Sequence, residues 1–313
     1  MSNISMKFRQ WMLVCMIPLM MLGSCHENDR KAGNQQDSVA AVVRKDSPVV
    51  NNTVVPDSLP TEAYIAELVR RREAISRQVA SMDTATAVKM YLSLSAYVDS
   101  AIAGLMHNES PWLDKYVEYY IPEKGITVPP PQVVSRIRLL ATAGIEPWEV
   151  GEGYTDLRAV PDFYTHLFKS SLPPDYTAYL QLKADEDTVL YSADAGLAVP
   201  FSLIGTRALN WEKFLDTYPN SALAPAAKEL YEWYCIDYLF GEDNTPAFDR
   251  QEDLTSLVPE NRQEYTSFVA QHGNTKTGAV VAGYLQKLST AKSYEPFRAQ
   301  IKATIEAVHA PKK

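Results

Sequence analysis

The sequence predicts an all-α fold, an irregular helical bundle of about ten short helices. Glycine is scarce, with 13 residues in 313, whereas 20 prolines divide the chain into short pieces. Leu, Ala, Glu and Lys favour helix, and proline interrupts it. After residue 60, apolar residues repeat at spacings of three, four and seven, as in helices that bury one face. We therefore expect many short helices around a shared core.

The first helices follow from start and stop signals. Thr61 begins a helix whose apolar residues continue to Val79, and Asp83 or Thr84 caps a second helix. Gly104 and His107-Asn108 predict the end of that second helix. Ser110-Pro111 then resembles an N-cap followed by a proline at the first helical position, so we expect a separate short helix there.

The clearest element is a helical hairpin in residues 201–249. Two apolar-periodic runs are joined by Tyr218-Pro219-Asn220-Ser221, and Gly241 ends the second run. Aromatic residues nearly surround the second helix. This pattern favours a core position between neighbouring helices, with a ligand-binding box as the alternative.

One junction in this hairpin has a recognisable pattern. Phe214 to Ala224 reads Phe-x3-Tyr-Pro-Asn-Ser-x2-Ala. It resembles the junction between tetratricopeptide-type (TPR-like) repeats of envelope lipoproteins, which implies binding of partner proteins or peptides. The resemblance covers one hairpin of about 40 residues, and no second copy follows at a repeat period of about 34 residues, although a solenoid needs at least three units.

The N-terminus carries the most specific motif. Lys7 and Arg9 precede an apolar run, residues 11–22, that is too short to span a bilayer as a mature helix. Leu22-Gly23-Ser24-Cys25 follows and resembles the lipobox of bacterial lipoproteins. The resemblance implies a signal peptide in residues 1–24, cleavage before Cys25, and acyl chains such as palmitate on Cys25. An ordinary secretory signal with a cysteine there by chance is the alternative.

The residues after Cys25 bear on localisation. His26 stands where an aspartate would retain enteric lipoproteins at the inner membrane, so the resemblance implies the outer membrane of the cell envelope. Glu27 and Asp29 are similar to the acidic tract of Bacteroidetes-like surface lipoproteins, but Arg30 and Lys31 depart from it. The periplasmic and the surface-exposed face both stay open.

Composition divides the remaining chain. Residues 25–58 are polar and lack a sustained period, so we expect a disordered tether that reaches about 30 Å on average. Residues 59–124 are predicted to form an N-terminal helical bundle. Residues 125–313 are predicted to form a C-terminal helical domain that contains the hairpin of residues 201–249.

Charge and cysteine content exclude several functions. Loss of Lys7 and Arg9 with the signal would change the formal net charge from −8 to −10, which disfavours nucleic acid as a partner. With Cys15 removed and Cys25 acylated, Cys235 is the one thiol left. No intramolecular disulfide can then form, and we expect a buried structural thiol.

Residues 146–158 contain the best candidate site, which we expect to be a loop. Two glycines surround a carboxylate and allow close approach of the backbone. Paired carboxylates beside aromatic residues suit acid–base chemistry on a glycan, with Glu149 and Glu152 as the catalytic candidates. A contact with a ligand or partner, or a solvated loop, are the alternatives. The candidate residues are Trp148, Glu149, Glu152, Tyr154 and Asp156.

Other motifs predict neither metal nor cofactor. The oxygen-rich residues 241–249 could hold Ca²⁺, but they lack the ligand spacing of an EF-hand loop and are better interpreted as a helix C-cap and turn. The histidines are far apart in sequence, which disfavours zinc. Nucleotide-binding and serine-hydrolase motifs do not occur.

We therefore expect a membrane-anchored envelope lipoprotein that binds or scaffolds a protein or glycan partner without catalysis. The alternative is a glycan-directed envelope hydrolase. If a site exists, we expect it where residues 148–156 pack against the hairpin of residues 201–249.

Overall fold

A computed structural model describes residues 59–168, 171–250 and 252–310, which lie within one compact unit. The described residues form ten α-helices and four antiparallel two-stranded hairpins, which confirms the predicted all-α class. The predicted signal peptide, the lipobox-like motif with Cys25 and the predicted tether lie outside the described residues. The helices are α1 (Thr61–Gln78), α2 (Thr84–Leu113), α3 (Pro131–Thr142), α4 (Phe163–Phe168), α5 (Pro174–Glu186), α6 (Phe201–Thr217), α7 (Ala224–Phe240), α8 (Pro259–His272), α9 (Lys276–Leu288) and α10 (Tyr294–Val308).

Short strands fill several connections between the helices. Each hairpin forms its own two-stranded sheet, and each pairs strands that are neighbours in sequence. The pairs are β1 (Tyr120–Ile121) with β2 (Ile126–Thr127), β3 (Ile145–Gly151) with β4 (Tyr154–Ala159), β5 (Ser192–Ala193) with β6 (Gly196–Leu197), and β7 (Gly241–Glu242) with β8 (Thr245–Pro246).

Helix α2 corrects two sequence predictions. It begins as expected, with the Asp83 side chain accepting a hydrogen bond from the Thr86 amide. It does not end near Gly104, because that glycine serves packing. A Cβ atom there would overlap the ring of Tyr64 on α1, so the glycine lets α1 and α2 approach closely inside the helix.

The second correction concerns Pro111, which lies inside α2 and does not begin a new helix. Proline lacks the amide that would bond to the carbonyl four residues earlier, at His107. The Ser110 hydroxyl donates a hydrogen bond to that carbonyl over 3.0 Å and replaces the missing donor. The buried side chains of Trp112 and Leu113 keep the final turn packed against the body.

The α6–α7 hairpin lies at the centre of the core, in agreement with the sequence prediction. The two helices pack along their lengths, and their aromatic side chains are almost fully buried. Arg207 and Glu212 of α6 and Asp237 of α7 are buried among them. The most buried aromatic residues of the hairpin are Trp211, Tyr231, Tyr234 and Tyr238.

Glu212 connects this hairpin to the C-terminal helices. Its carboxylate accepts hydrogen bonds from the backbone amides of Lys276 and Thr277, at 2.8 and 2.7 Å. These amides belong to the first turn of α9, where helical amides have no partner in their own helix and a negative charge is favourable. A carboxylate from α6 therefore fixes the start of α9.

The hairpin β3–β4 corrects the expectation of a loop in residues 146–158. Trp148, Val150, Tyr154 and Thr155 favour extended backbone, and Ile145↔Ala159 to Trp148↔Asp156 pair in regular antiparallel register. A bulge interrupts the register between Glu149 and Gly151. The glycine-rich segment is the turn of this hairpin.

Residues 241–249 form a turn of similar kind. Gly241 follows α7 with φ of 71°, as a C-terminal glycine does, and then pairs with Pro246. The backbone amide of Asn244 bonds to the carbonyl of Ala195, and the Thr245 hydroxyl accepts a hydrogen bond from the Leu197 amide. The segment thus joins β7–β8 to β5–β6.

Candidate functional site

The outer end of β3–β4 is a tight two-residue turn. Glu152 and Gly153 occupy its central positions, and both have positive φ, 53° and 79°. This is the backbone twist that suits a two-residue hairpin, although a non-glycine residue rarely adopts it. Gly151 also has positive φ, and a Cβ atom there would overlap the side chain of Ala193 on β5. The turn is therefore fixed against the neighbouring hairpin.

Arg158 organises the inner end of the same hairpin. Its guanidinium carbon lies 3.4 Å from the centroid of the Trp148 ring. It also pairs with Glu146 at 2.8 Å and donates a hydrogen bond to the carbonyl of Asp187. The cation–π contact and the ion pair both hold the Arg158 guanidinium in place. Trp148 is half-buried, and the guanidinium covers one face of its ring. Trp148 thus supports the hairpin and leaves little aromatic surface for a ligand.

The carboxylates of this region lie on different parts of the hairpin. Trp148 pairs with Asp156, so these two share a face, whereas Glu149 pairs with Thr155 on the other face. Glu152 belongs to the turn. Glu149 and Glu152 are exposed, and Asp156 is half-buried. The structure therefore brings Trp148 and Asp156 together and separates Glu149 from them.

Tyr154 is the most exposed large apolar residue among the described residues, at 67%. Six such residues are exposed in this part of the chain, and five of them belong to β1–β2, to β3–β4 or to the segments flanking β1–β2. A Cβ atom at Gly153 would lie 3.2 Å from Val117, and β4 packs against residues 116–119, so the two hairpins are neighbours. We call the five the hairpin surface: Val117, Tyr120, Ile126, Val128 and Tyr154.

The sequence analysis missed four members of this surface. Residues 122–125 form a turn, and apolar residues flank it on both sides as Tyr119-Tyr120-Ile121 and Ile126-Thr127-Val128. Two short apolar runs around a turn containing proline and glycine predict a β-hairpin. That signal is present in the sequence, although no hairpin was predicted from it.

The expected contact between residues 148–156 and the α6–α7 hairpin runs through β5–β6. Strand β3 packs against β5, and β6 packs against β7, which directly follows α7. The turn of β5–β6 has positive φ at Asp194 and Ala195, and Asn244 bonds to both residues. The described hairpins β3–β4, β5–β6 and β7–β8 thus form a row beside the end of α7.

A buried polar cluster lies where this row meets the core. The Tyr191 hydroxyl donates a 2.8 Å hydrogen bond to Oδ2 of Asp237, and Asp237 is 5% exposed. Burial raises the pKa of Asp237 to about 7, and the neighbouring Glu242 carboxylate adds to this rise. Burial also raises the pKa of Glu242, whose Oε2 atom is buried without a hydrogen-bond partner. The cluster is a pair of buried acids in which ionisation of both carboxyl groups at once is disfavoured.

A second buried acid is structural. Glu186 accepts hydrogen bonds from the Trp211 indole, at 2.7 Å, and from the Tyr234 hydroxyl, at 3.0 Å. Burial raises its pKa, although Lys183 and Arg207 oppose the change. Its two oxygens are therefore occupied by core groups and face no open cleft.

Two surface concavities are lined by residues outside the candidate site. One, of 340 Å³, lies between α4 and α5, and the other, of 600 Å³, lies along α8 and the segment that precedes it. Neither lining contains a carboxylate. Within the described ranges, no group of three or more His, Cys, Asp or Glu residues is arranged to hold a metal ion.

Cys235 is buried in α7, as expected. Burial raises the pKa of its thiol to about 12, so it is not a thiolate at neutral pH. The thiol is therefore inert toward nucleophilic chemistry and toward reagents in solution.

Comparison with known proteins gave no match to a protein-family profile, to a curated protein or to a solved structure. None of the helices in residues 59–310 that the structure describes is long and apolar enough to cross a bilayer. The functional argument therefore depends on the sequence motifs and on the geometry of the hairpins.

Proposed function

We propose that this chain is a lipid-anchored lipoprotein of the bacterial outer membrane, whose folded body binds a protein or glycan partner without catalysis. The lipobox that ends at Cys25 supports the anchor. Two or more acyl chains hold a protein stably on a membrane, whereas one does not. The exposed outer end of β3–β4 supports the binding role.

The observation that carries the binding role is the position of Tyr154. A tyrosine at 67% exposure stands at a rigid turn, next to Glu152 and on the same face of β4 as Asp156. Tyrosine offers a large contact area at a small entropic cost, and carboxylates beside it accept hydrogen bonds from sugar hydroxyls or pair with basic side chains. The proposed partner contact therefore consists of Glu152, Tyr154 and Asp156, with Trp148 as support, whereas Glu149 lies on the other face of the hairpin.

The geometry supports binding better than hydrolysis. Glycoside hydrolysis needs two carboxylates that flank one bond, with an aromatic platform beside them. Glu149 and Glu152 are both exposed to solvent, and the ring of Trp148 is covered by Arg158. If the double change Glu149→Gln and Glu152→Gln abolished a measurable glycan hydrolysis, the binding proposal would be overturned.

The anchor is tested by changing Cys25. We expect the unmodified chain to fractionate with membranes and its N-terminal peptide to carry the mass of acyl chains, and we expect Cys25→Ser to lose both properties. A Cys25→Ser variant that stays on the membrane at its unchanged mass would contradict the proposed anchor.

The partner contact is tested by photo-crosslinking in cells. A photoreactive amino acid placed at Tyr154 should give a discrete higher-mass adduct, and the same group at Lys302 of α10 should not. Lys302 is a matched control because its side chain is 65% exposed and lies on a helix far from β3–β4 in sequence. Equal labelling at both positions would exclude a specific contact at Tyr154.

A further inference from the structure

The β1–β2 hairpin is apolar on both of its faces. In register, Tyr120 pairs with Thr127 on one face, and Ile121 pairs with Ile126 on the other. Tyr120 and Ile126 are each about half exposed, at 49%. An isolated two-stranded hairpin is only marginally stable in water, so apolar residues on both faces need a surrounding apolar phase.

The chain joins the folded body beside this hairpin. The carbonyl of Leu59 accepts a 2.8 Å hydrogen bond from Asn108 in the last turns of α2. Trp112, one turn later, packs its ring 5.7 Å from that of Tyr116, which leads directly into β1. The point where the tether joins the body and the hairpin surface therefore lie at the same end of α2.

The number of residues between Cys25 and the body bears on which end of the body faces the membrane. If the 33 residues between Cys25 and Leu59 form the expected disordered tether, they would span about 30 Å on average. A body of about 250 residues has a radius of gyration of about 18 Å, so its diameter exceeds that span. The end of the body where the tether joins would then lie, on average, closest to the bilayer.

We propose that the β1–β2 part of the hairpin surface, formed by Val117, Tyr120, Ile126 and Val128, docks into the headgroup layer of the bilayer that holds Cys25. This inference rests on the proposed lipid anchor. The tether keeps the hairpin at an effective concentration in the millimolar range, so a weak affinity is sufficient. A rigid protein surface would cover one face of the hairpin, whereas a fluid interface covers both.

The charged residues near the hairpin favour a shallow depth of insertion into the bilayer. Residues 114–128 contain three acidic and two basic side chains, so the strong negative charge of the whole chain does not extend to this segment. Glu123 and Lys124 lie at the tip of the hairpin and are exposed. Because charged groups stay in the polar layer, the hairpin lies along the interface, with its apolar side chains about 5–10 Å below the headgroup surface.

The test places one fluorophore on the full-length lipidated chain. Ile126→Cys is labelled with a polarity-sensitive dye, and Cys235 stays unlabelled because it is buried. The protein is reconstituted into vesicles of phosphatidylethanolamine and phosphatidylglycerol that contain a brominated phospholipid. We expect the dye at position 126 to shift to the blue and to be quenched severalfold more strongly than a dye at Arg77→Cys.

Arg77 is a matched control, since it is 67% exposed and lies near the other end of α1, about 24 Å from the point where the tether joins. Adding Tyr120→Glu and Val128→Glu to the labelled chain should reduce the quenching at position 126 to the level of position 77. The change Val189→Glu, at an exposed valine outside the hairpin surface, should not. Circular dichroism and thermal unfolding verify that all variants fold.

The outcomes separate the two proposals. A lipidated Cys25 with equal quenching at positions 126 and 77 would overturn the docking and leave the anchor intact. A blue shift without quenching by brominated lipid would assign the surface to another protein or a second copy, and would also overturn it. If mass spectrometry found no acyl chain on Cys25, the anchor and the docking would fail together.

Discussion

The aromatic residues of the α6–α7 hairpin and those of the small β-hairpins have opposite environments. Trp211 and Tyr231 of the helical hairpin are fully buried, whereas Tyr120 and Tyr154 of the β-hairpins are 49% and 67% exposed. Both groups belong to one chain with one core. Burial of an aromatic side chain contributes several kcal/mol to folding, whereas an exposed one contributes little. The exposed group is thus free to serve recognition, and the buried group fixes the fold.

The sharpest test of this difference compares Trp211→Ala with Tyr154→Ala. Trp211→Ala removes a fully buried ring and the indole donor to Glu186, so we expect a loss of about 3–5 kcal/mol in the free energy of unfolding. Tyr154→Ala should change it by less than about 0.5 kcal/mol. Urea unfolding followed by circular dichroism measures both.

Trp211→Phe is the control, because it keeps most of the packing and removes the indole donor. Its free energy of unfolding should fall by less than that of Trp211→Ala. Similar losses for Trp211→Ala and Tyr154→Ala would show that the two aromatic groups do not differ as proposed.

The second prediction concerns the buried acid Asp237. Its pKa is raised from 3.8 in the unfolded chain to about 7 in the folded protein, so the folded state binds the proton more tightly. Stability should therefore fall as pH rises from about 4 to about 7 and stay level above that range. Asp237→Asn keeps an acceptor for Tyr191 and removes the charge, so at pH above 7 it should stabilise the protein by about 2–4 kcal/mol.

The free energy of unfolding, measured across this pH range, tests whether stability falls with rising pH as predicted. Asp185→Asn changes an exposed aspartate on α5 and should leave the pH profile unchanged. Glu242 raises the pKa of Asp237 and Arg298 lowers it. The dependence of stability on pH therefore reports on these three groups together. A variant Asp237→Asn that is less stable than the parent at alkaline pH would contradict the assignment.

The third prediction compares two glycines in hairpin turns. Gly151→Ala imposes a side chain at φ of 99° and overlaps Ala193, whereas Gly125→Ala imposes one at φ of 63° with open space around it. We expect the free energy of unfolding to fall by about 2–3 kcal/mol in Gly151→Ala and by about 1 kcal/mol in Gly125→Ala. Thermal unfolding measures both, and Gly151→Ala should also weaken the Tyr154 crosslink, since the turn would lose its position against β5. Equal losses would show that the two hairpins are not packed differently.

Much of the helical fold could be predicted from the sequence, because local signals and packing agree there. Asp83 caps α2, and the α6–α7 hairpin follows its apolar period. Both features depend on residues close in sequence. The fold class and the central hairpin were accordingly predicted correctly.

The errors have a common physical cause, which is tertiary packing. Gly104 and Pro111 are helix breakers by propensity, but the ring of Tyr64 and the hydroxyl of Ser110 make both acceptable inside α2. For the candidate site, the residue types in residues 146–158 were recognised, but their pairing in β3–β4 was not. The contact of Arg158 with the Trp148 ring depends on the register of that hairpin. The apolar periodicity of one sequence does not determine that register.

The attachment of Leu59 beside the end of α2 has a mechanical consequence. Under the proposed anchor at Cys25, a pull from the membrane would reach the body at the hydrogen bond between the Leu59 carbonyl and Asn108 and at the contact of Thr61 with Glu109. Glu109 is buried and is also bound to Arg136 of α3. The force would therefore be shared by α1, α2 and α3, so we expect the body to tilt as a unit before α1 separates from it.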